Sequence, residues 1–115
     1  MDRRLVRALD LVDDAGLMRE YRRRHAQGAV WPEVIAHIRA LGVEDMEIWC
    51  TGSRLVMIMT VSEDYPRNVS ESARVTDWEL QMDSFQQRLP GVAAGEKWAA
   101  MTRIFALEES GRLDE

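Results

Sequence analysis

The chain has 115 residues, with 15 basic against 20 acidic residues and a formal net charge of -5 at pH 7. This length accommodates one compact domain, and 46% hydrophobic with 30% charged residues is typical of a globular protein. The single cysteine, Cys50, excludes an intramolecular disulfide and a multi-cysteine metal site. No apolar run is long enough to span a membrane, and the amino terminus does not resemble a signal peptide, so we expect a cytoplasmic protein.

Arginine dominates the basic residues, because Lys97 is the only lysine. The arginine run at residues 22–24 could contact phosphates. The acidic net charge favours a solvated helix face instead. We therefore expect neither a nucleic acid nor a membrane as partner.

The first half of the chain predicts a strand followed by two helices. The strand covers residues 5–12, and Asp13 and Asp14 after it are suited to cap a helix. The first helix has one face formed by Leu17, Met18, Tyr21 and His25. The second begins at Trp31, Pro32 and Glu33, has an apolar stripe, and ends before Gly42.

The second half predicts two strands, helical segments and a final strand. Residues 46–50 alternate as in a half-buried strand, with Cys50 as a small buried residue, and a turn at residues 51–53 leads into an apolar strand at residues 55–61. We expect a short helix at residues 67–74, a longer one at residues 76–89 and a last strand at residues 98–107. Residues 1–107 then form one domain, and residues 108–115 an acidic tail.

This element order predicts an α+β fold of the ferredoxin-like, split βαβ type, a sandwich with a four-stranded antiparallel sheet and helices on one face. The strand at residues 55–61 is apolar on both faces, and the helices can cover only one of them. We therefore expect a homodimer in which the sheets of two copies pack together as a dimeric α/β barrel.

The clearest candidate for chemistry is the pair Tyr21 and His25. A spacing of four places the phenol and the imidazole on the same helix face, and an imidazole exchanges protons near neutral pH. The same spacing also suits two residues at the edge of the core. His37 is expected at the boundary of its helix, and the two histidines offer no metal-binding spacing.

Three further residues have two interpretations each. Trp31 stands where a helix usually begins with a small polar residue, so it serves either a binding pocket or the core. Trp78 could contact the apolar face of a sugar, although Met82 and Phe85 at helical spacing favour the core. Glu79 could bind a ligand or complete a capping box with Thr76.

Together these residues resemble the L-rhamnose mutarotase family. The resemblance rests on the motif from Tyr21 to His25, on Trp31-Pro32-Glu33, and on a later tryptophan near a helix start, and it extends to residue 107. It implies a homodimeric isomerase that interconverts the α and β anomers of a 6-deoxy sugar without metal or cofactor. It also implies that His25 is the proton donor and that Tyr21 contacts the sugar.

The sequence departs from that family at three places. Five residues separate His25 from Trp31 where the family has three, a sugar-contacting tyrosine is replaced by Met46, and a Trp-Trp pair becomes Trp78-Glu79. These changes alter which sugar hydroxyls find a partner. We expect a mutarotase for L-fucose or, second, L-rhamnose, with His25 as acid/base. The alternatives are a cofactor-free oxygenase or small-ligand binding protein on the same fold, and an interaction module.

Overall fold

An antiparallel sheet with strand order β2-β3-β1-β4 forms one layer of the computed structural model, which describes residues 3–110. Its long strands are β1 (Arg3–Leu11), β2 (Val43–Thr51) and β3 (Arg54–Val61). The two-residue strands β4 (Gln86–Gln87) and β5 (Ala99–Ala100) both pair with the outer edge of β1. They share the fourth position of the sheet, which confirms the four-stranded antiparallel prediction.

Three helices cover one face of this sheet: α1 (Ala15–Arg24), α2 (Pro32–Ala40) and α3 (Ala73–Asp83). Each contributes a buried side chain, Tyr21, Val34 and Trp78 respectively, to one cluster with Leu55 of β3. A single turn, α4 (Leu107–Ser110), follows β5. The order of strands and helices is that of the predicted ferredoxin-like α+β fold.

The predicted starts of the first two helices are confirmed. The Asp14 side chain accepts a hydrogen bond from the Leu17 amide at 2.9 Å, which caps α1. Trp31 is the N-cap of α2 and makes no side-chain capping bond. After α2, Gly42 has a φ of 106°, and a Cβ atom there would lie 2.5 Å from the Ser62 Oγ. Both the backbone angle and the lack of space require glycine at this position.

The core consists of two clusters that meet beneath α2. The tyrosine cluster contains Leu11, Tyr21, Val34, Leu55, Trp78, Met82 and Phe85. The methionine cluster contains Val43, Met57, Met59 and Val61. Ile38 and Trp98 pack against both clusters.

The predictions after residue 65 need correction. Residues 67–72 are not helical, and α3 ends at Asp83, six residues before the predicted end at residue 89. Its N-cap is Ser72, which accepts a hydrogen bond from the Val75 amide, so the capping box of Thr76 with Glu79 is wrong. The helical spacing of apolar residues continues past residue 83 and therefore predicted a longer helix. In the structure the helix ends there, Phe85 packs into the core, and Gln86 pairs with β1 in the sheet. Residues 101–106 have no regular structure, so the predicted last strand shortens to Ala99–Ala100.

The half-buried pattern predicted for β2 is also wrong in the single chain. Only Val43 is buried and Met46 half-buried, whereas Ile48 and Cys50 are exposed. β2 is an edge strand of the sheet, so it has a neighbouring strand on one side only. The Cys50 thiol contacts the Arg22 guanidinium instead of the core.

The remaining charge and tail predictions have mixed outcomes. Arg23 and Arg24 pair with Glu20 on the solvated face of α1, as the acidic net charge indicated. Residues 111–115 of the predicted tail lie outside the described residues. Across residues 3–110, no helix is long and apolar enough to cross a membrane, and no three His, Cys, Asp or Glu residues are grouped to hold a metal ion.

Candidate active site

The imidazole of His25 lies between two aromatic rings. It stacks on the Tyr21 ring with centroids 4.1 Å apart, and the Trp78 ring meets it edge-on at 5.5 Å. Tyr21 comes from α1, one turn before His25, and Trp78 from the first half of α3. The sequence pair is therefore brought together as predicted, and a third ring from a distant helix fixes the plane of the imidazole.

A hydrogen bond determines which nitrogen of His25 is available. Nδ1 lies 2.8 Å from the carbonyl oxygen of Tyr21, so in the neutral ring Nδ1 carries the proton and donates it there. Nε2 is then left with its lone pair. Burial lowers the pKa of His25 below its ordinary value of 6.5, although the bond to the carbonyl acts in the opposite direction. At pH 7 the ring is therefore mainly neutral and able to accept a proton at Nε2.

Tyr21 is held in its protonated form. Burial raises the pKa of its hydroxyl to about 12, partly opposed by the nearby Gln86 amide. Neither the Tyr21 hydroxyl nor the Gln86 Oε1 has a hydrogen-bond partner within residues 3–110, although both atoms are buried. The two groups are thus close enough to interact electrostatically without the geometry of a hydrogen bond.

A cleft of about 640 Å³ lies between the helices and the covered face of the sheet. Five of the six predicted site residues line it: Tyr21, His25, Met46, Trp78 and Glu79. More than half of the other lining side chains are apolar, and the rest include the polar residues His37, Arg39, Glu44 and Asp45 of α2 and β2. A cleft of this volume that combines apolar walls with polar groups has the size and character of a small-molecule site.

Trp31 is the predicted site residue that the structure places elsewhere. It is not among the lining residues and packs edge-on behind Trp78, with centroids 5.2 Å apart. The Arg74 guanidinium lies over the Trp31 ring, with its Cζ 3.7 Å from the ring centroid. Trp31 therefore supports the position of Trp78, which explains an aromatic N-cap that forms no capping bond.

Met46 and Glu79 approach the cleft from different sides. Met46 extends from β2 and packs against the methionine cluster. Glu79 extends from α3, where its carboxylate lies 3.1 Å from the ammonium of Lys97, and Asp83 binds the same ammonium at 2.7 Å. Because Glu79 does not form the predicted capping box with Thr76, its structural role is this ion pair with Lys97.

Sequence reasoning missed the other lining residues, among them Arg7, Gln86, Lys97 and Trp98. Gln86 was hidden by the helix predicted over residues 76–89, and Trp98 was assigned only to the sheet. Arg7 lies within the predicted first strand, where its odd-numbered apolar neighbours Leu5, Leu9 and Leu11 form one face. A charge on that face was a signal that could have been noticed.

Comparisons with known proteins find L-rhamnose and L-fucose mutarotases. The sequence model described as L-rhamnose mutarotase matches residues 4–107. An L-fucose mutarotase of Xanthomonas campestris pv. campestris is 46% identical over 112 residues, which cover 93% of this chain and 90% of that protein. The crystal structure of an L-rhamnose mutarotase from Formosa agariphila superposes with a TM-score of 0.67 at 22% identity, covering 91% of this chain and 98% of the other.

The structural match has the same α+β fold, and the family model and the relative indicate a carbohydrate mutarotase, which is an isomerase, as the sequence resemblance implied. The chain belongs to the L-rhamnose mutarotase family.

Proposed function

We propose that this protein interconverts the α and β anomers of L-fucose by acid–base catalysis at His25. The observation that carries the proposal is the state of the imidazole, which is held by the Tyr21 carbonyl and two rings with Nε2 available in an apolar cleft. An acid–base group of this kind accelerates proton transfer by about 10²- to 10⁴-fold.

The reaction can proceed with one imidazole. Nε2 of His25 accepts the proton of the anomeric hydroxyl as the bond between C1 and the ring oxygen breaks. The imidazolium returns a proton to the ring oxygen, which is bonded to the same carbon and is therefore within reach of the same nitrogen. The open-chain aldehyde then rotates about the C1–C2 bond and closes on its other face by the reverse steps. No proton is gained or lost overall, and no metal or cofactor takes part.

The other lining residues hold the sugar during these steps. Trp78 offers a flat surface to the apolar face of the sugar, and the Tyr21 ring lines the same cleft, stacked on His25. Glu79 accepts hydrogen bonds from sugar hydroxyls, which its half-exposed carboxylate can reach beside Lys97. Trp31 acts through Trp78.

L-fucose is the preferred candidate substrate because of the residues at positions 46 and 79. A thioether and a carboxylate stand where the resemblance to rhamnose enzymes implied a tyrosine and a tryptophan, so one hydroxyl donor is lost and one acceptor is gained. The relative that is 46% identical is named an L-fucose mutarotase, which supports the same choice. L-rhamnose is the second candidate, supported by the description of the family.

We also propose that the protein is a homodimer, with two sheets packed as a dimeric α/β barrel. The uncovered face of β3 carries Val56 and Ile58, which remain half-buried in the single chain. Beyond β5, Ile104 is 95% exposed and Phe105 is 65% exposed. Apolar surface of this kind is typical of an interface, and a second copy of the chain would cover it.

The direct test is saturation-transfer NMR on L-fucose and L-rhamnose. The proposal expects magnetisation to transfer between the α and β anomeric protons of L-fucose when the protein is added, faster than for L-rhamnose at equal concentration. Transfer equal to the protein-free rate for both sugars would contradict it. Faster exchange of L-rhamnose would keep the reaction and reverse the choice of substrate.

A further inference from the structure

We propose that Arg7 binds the sugar through its guanidinium group, in addition to the residues given by the family resemblance. Arg7 lies on β1, the strand that has paired neighbours on both sides, and its side chain lines the cleft. It is opposite Met57 on β3 and Ala100 on β5. A cation therefore stands in the middle of the helix-covered face of the sheet.

The surroundings of Arg7 contain nothing that neutralises it. Its neighbours on the same face of β1 are Leu5 and Leu9, and Met57 beside it is buried. Across residues 3–110 the Arg7 side chain has no hydrogen-bond or ion-pair partner. Charged side chains at partly buried positions are normally paired, because loss of hydration is unfavourable.

Several arginines elsewhere in the described residues show the usual arrangement. Arg23, Arg54 and Arg67 each form an ion pair with a nearby carboxylate. Lys97, which also lines the cleft, binds both Glu79 and Asp83. Arg7 differs from these cations in keeping its donors free while facing the cleft, and it differs from Arg39, which also lines the cleft, in being half-buried instead of exposed.

The sheet register places Arg7 between the two sides of the proposed site. Along β3, Leu55 belongs to the tyrosine cluster, and Met59, which is opposite Met46, belongs to the methionine cluster. Met57 stands between them, and Arg7 is its partner on β1. One step of two residues along a strand is about 7 Å. Arg7 is thus one such step from the position of Leu55, which packs with Tyr21, and one such step from the position of Met59, which is opposite Met46. A single pyranose ring can span each of these steps.

The chemistry of the guanidinium fits a sugar in this position. It presents several N–H donors in one plane and has no acceptor. It can therefore donate two hydrogen bonds to neighbouring hydroxyl oxygens without taking part in the proton transfers. This assignment makes Arg7 a substrate-binding residue, with its effect on KM and not on kcat.

The variants for the test are Arg7→Met, which removes the charge and keeps the length, and Arg7→Lys, which keeps the charge and loses the planar pair of donors. Arg4→Met is the matched control, because Arg4 lies on the same strand, is exposed and faces the other side of the sheet. Exchange rates over a range of L-fucose concentrations give kcat and KM, and thermal unfolding gives Tm.

Arg7→Met is expected to raise KM about 10- to 100-fold, the size of a lost charge-assisted hydrogen-bond pair, with kcat within about threefold of wild type. The KM of Arg7→Lys should lie between those of wild type and Arg7→Met, and the KM of Arg4→Met should match that of wild type. Tm of Arg7→Met should stay equal or rise, since an unpaired cation leaves the apolar face. A purely structural arginine would lower Tm and leave KM unchanged.

The inference rests on the proposed function, and the same data separate the two. Suppose that wild type accelerates the anomer exchange of L-fucose. If Arg7→Met then has the same KM as wild type, or if Arg4→Met raises KM as much as Arg7→Met does, the role of Arg7 is wrong while the proposed function stands. If wild type accelerates exchange of neither L-fucose nor L-rhamnose, the proposed function fails, and the sugar-binding role of Arg7 fails with it.

Discussion

The two faces of the sheet differ in how their apolar side chains are covered. On the face under the helices, Leu9, Leu55 and Val61 are fully buried, and the covering helices leave a cleft with both apolar and polar lining residues. On the other face, Val56 and Ile58 are half-buried and Trp49 is 62% exposed. The chain therefore completes one face by itself, where the chemistry is proposed, and leaves apolar side chains of the other face accessible to the proposed second copy.

The largest effect is expected on the covered face, from His25→Ala. Loss of the acid–base group should reduce the catalysed exchange of L-fucose by about 10²- to 10⁴-fold while the fold is retained. The measurement is saturation transfer at a fixed protein concentration, with circular dichroism to confirm folding.

The control is His37→Ala, since His37 is the other histidine of the chain and lines the cleft from α2. Exchange near the wild-type rate is expected for it. A folded His25→Ala variant with near-wild-type exchange would assign the chemistry to another residue.

A change on the open face should affect assembly and leave the cleft intact. Ile58→Asp places a charge in the proposed interface, where burial without a partner is costly, so the dimer should dissociate. Leu80→Asp is the control, because Leu80 is an exposed apolar residue on α3, away from that face. Sedimentation velocity should show a dimer for wild type and Leu80→Asp and a single chain for Ile58→Asp. A wild-type protein that sediments as one chain at micromolar concentration would refute the interface.

A smaller effect is expected from Glu79→Gln. If this carboxylate accepts from a sugar hydroxyl, its neutral replacement should weaken L-fucose binding by about 1–3 kcal/mol. Asp83→Asn is the control, since Asp83 binds the same Lys97 ammonium. Unchanged selectivity between L-fucose and L-rhamnose in Glu79→Gln would restrict Glu79 to its ion pair.

The double variant Met46→Tyr with Glu79→Trp should shift the substrate preference toward L-rhamnose.

The smallest effect is the change in stability of Tyr21→Phe. The hydroxyl is buried without a hydrogen-bond partner in the described part of the chain, so its removal should change the free energy of unfolding by less than about 1 kcal/mol. Urea unfolding measures this. A loss well above that value would mean that the hydroxyl stabilises the folded state through a contact with water or Gln86.

The fold was predictable from local patterns where each pattern agreed with its surroundings. The apolar strand β3, the acidic cap of α1 and the glycine after α2 all depend on neighbouring residues, and all three appear as expected. The end of α3 was not predictable in this way. Phe85 continues the helical spacing of Trp78 and Met82, but it packs beneath Tyr21 from a non-helical position.

The candidate site was predictable only in part for the same reason. Tyr21 and His25 are neighbours on one helix, so their spacing was sufficient. The position of Trp31 behind Trp78 depends on how α2 packs against α3, and that of Gln86 on the pairing of β4 with β1. Such contacts between distant segments have no signal in a single sequence.

The central claim is that a neutral His25 with a lowered pKa catalyses the exchange, and the pH dependence of L-fucose exchange in wild type tests it most directly. Because burial lowers the pKa of His25 below 6.5, the base form predominates at pH 7. The catalysed rate should be constant around neutrality and fall only as the pH drops through a value below 6.5. The exchange rate of His25→Ala should not show this decrease at low pH. A rate that increases as the pH falls through 6.5, or a wild-type rate equal to that of water at every pH, would contradict the account.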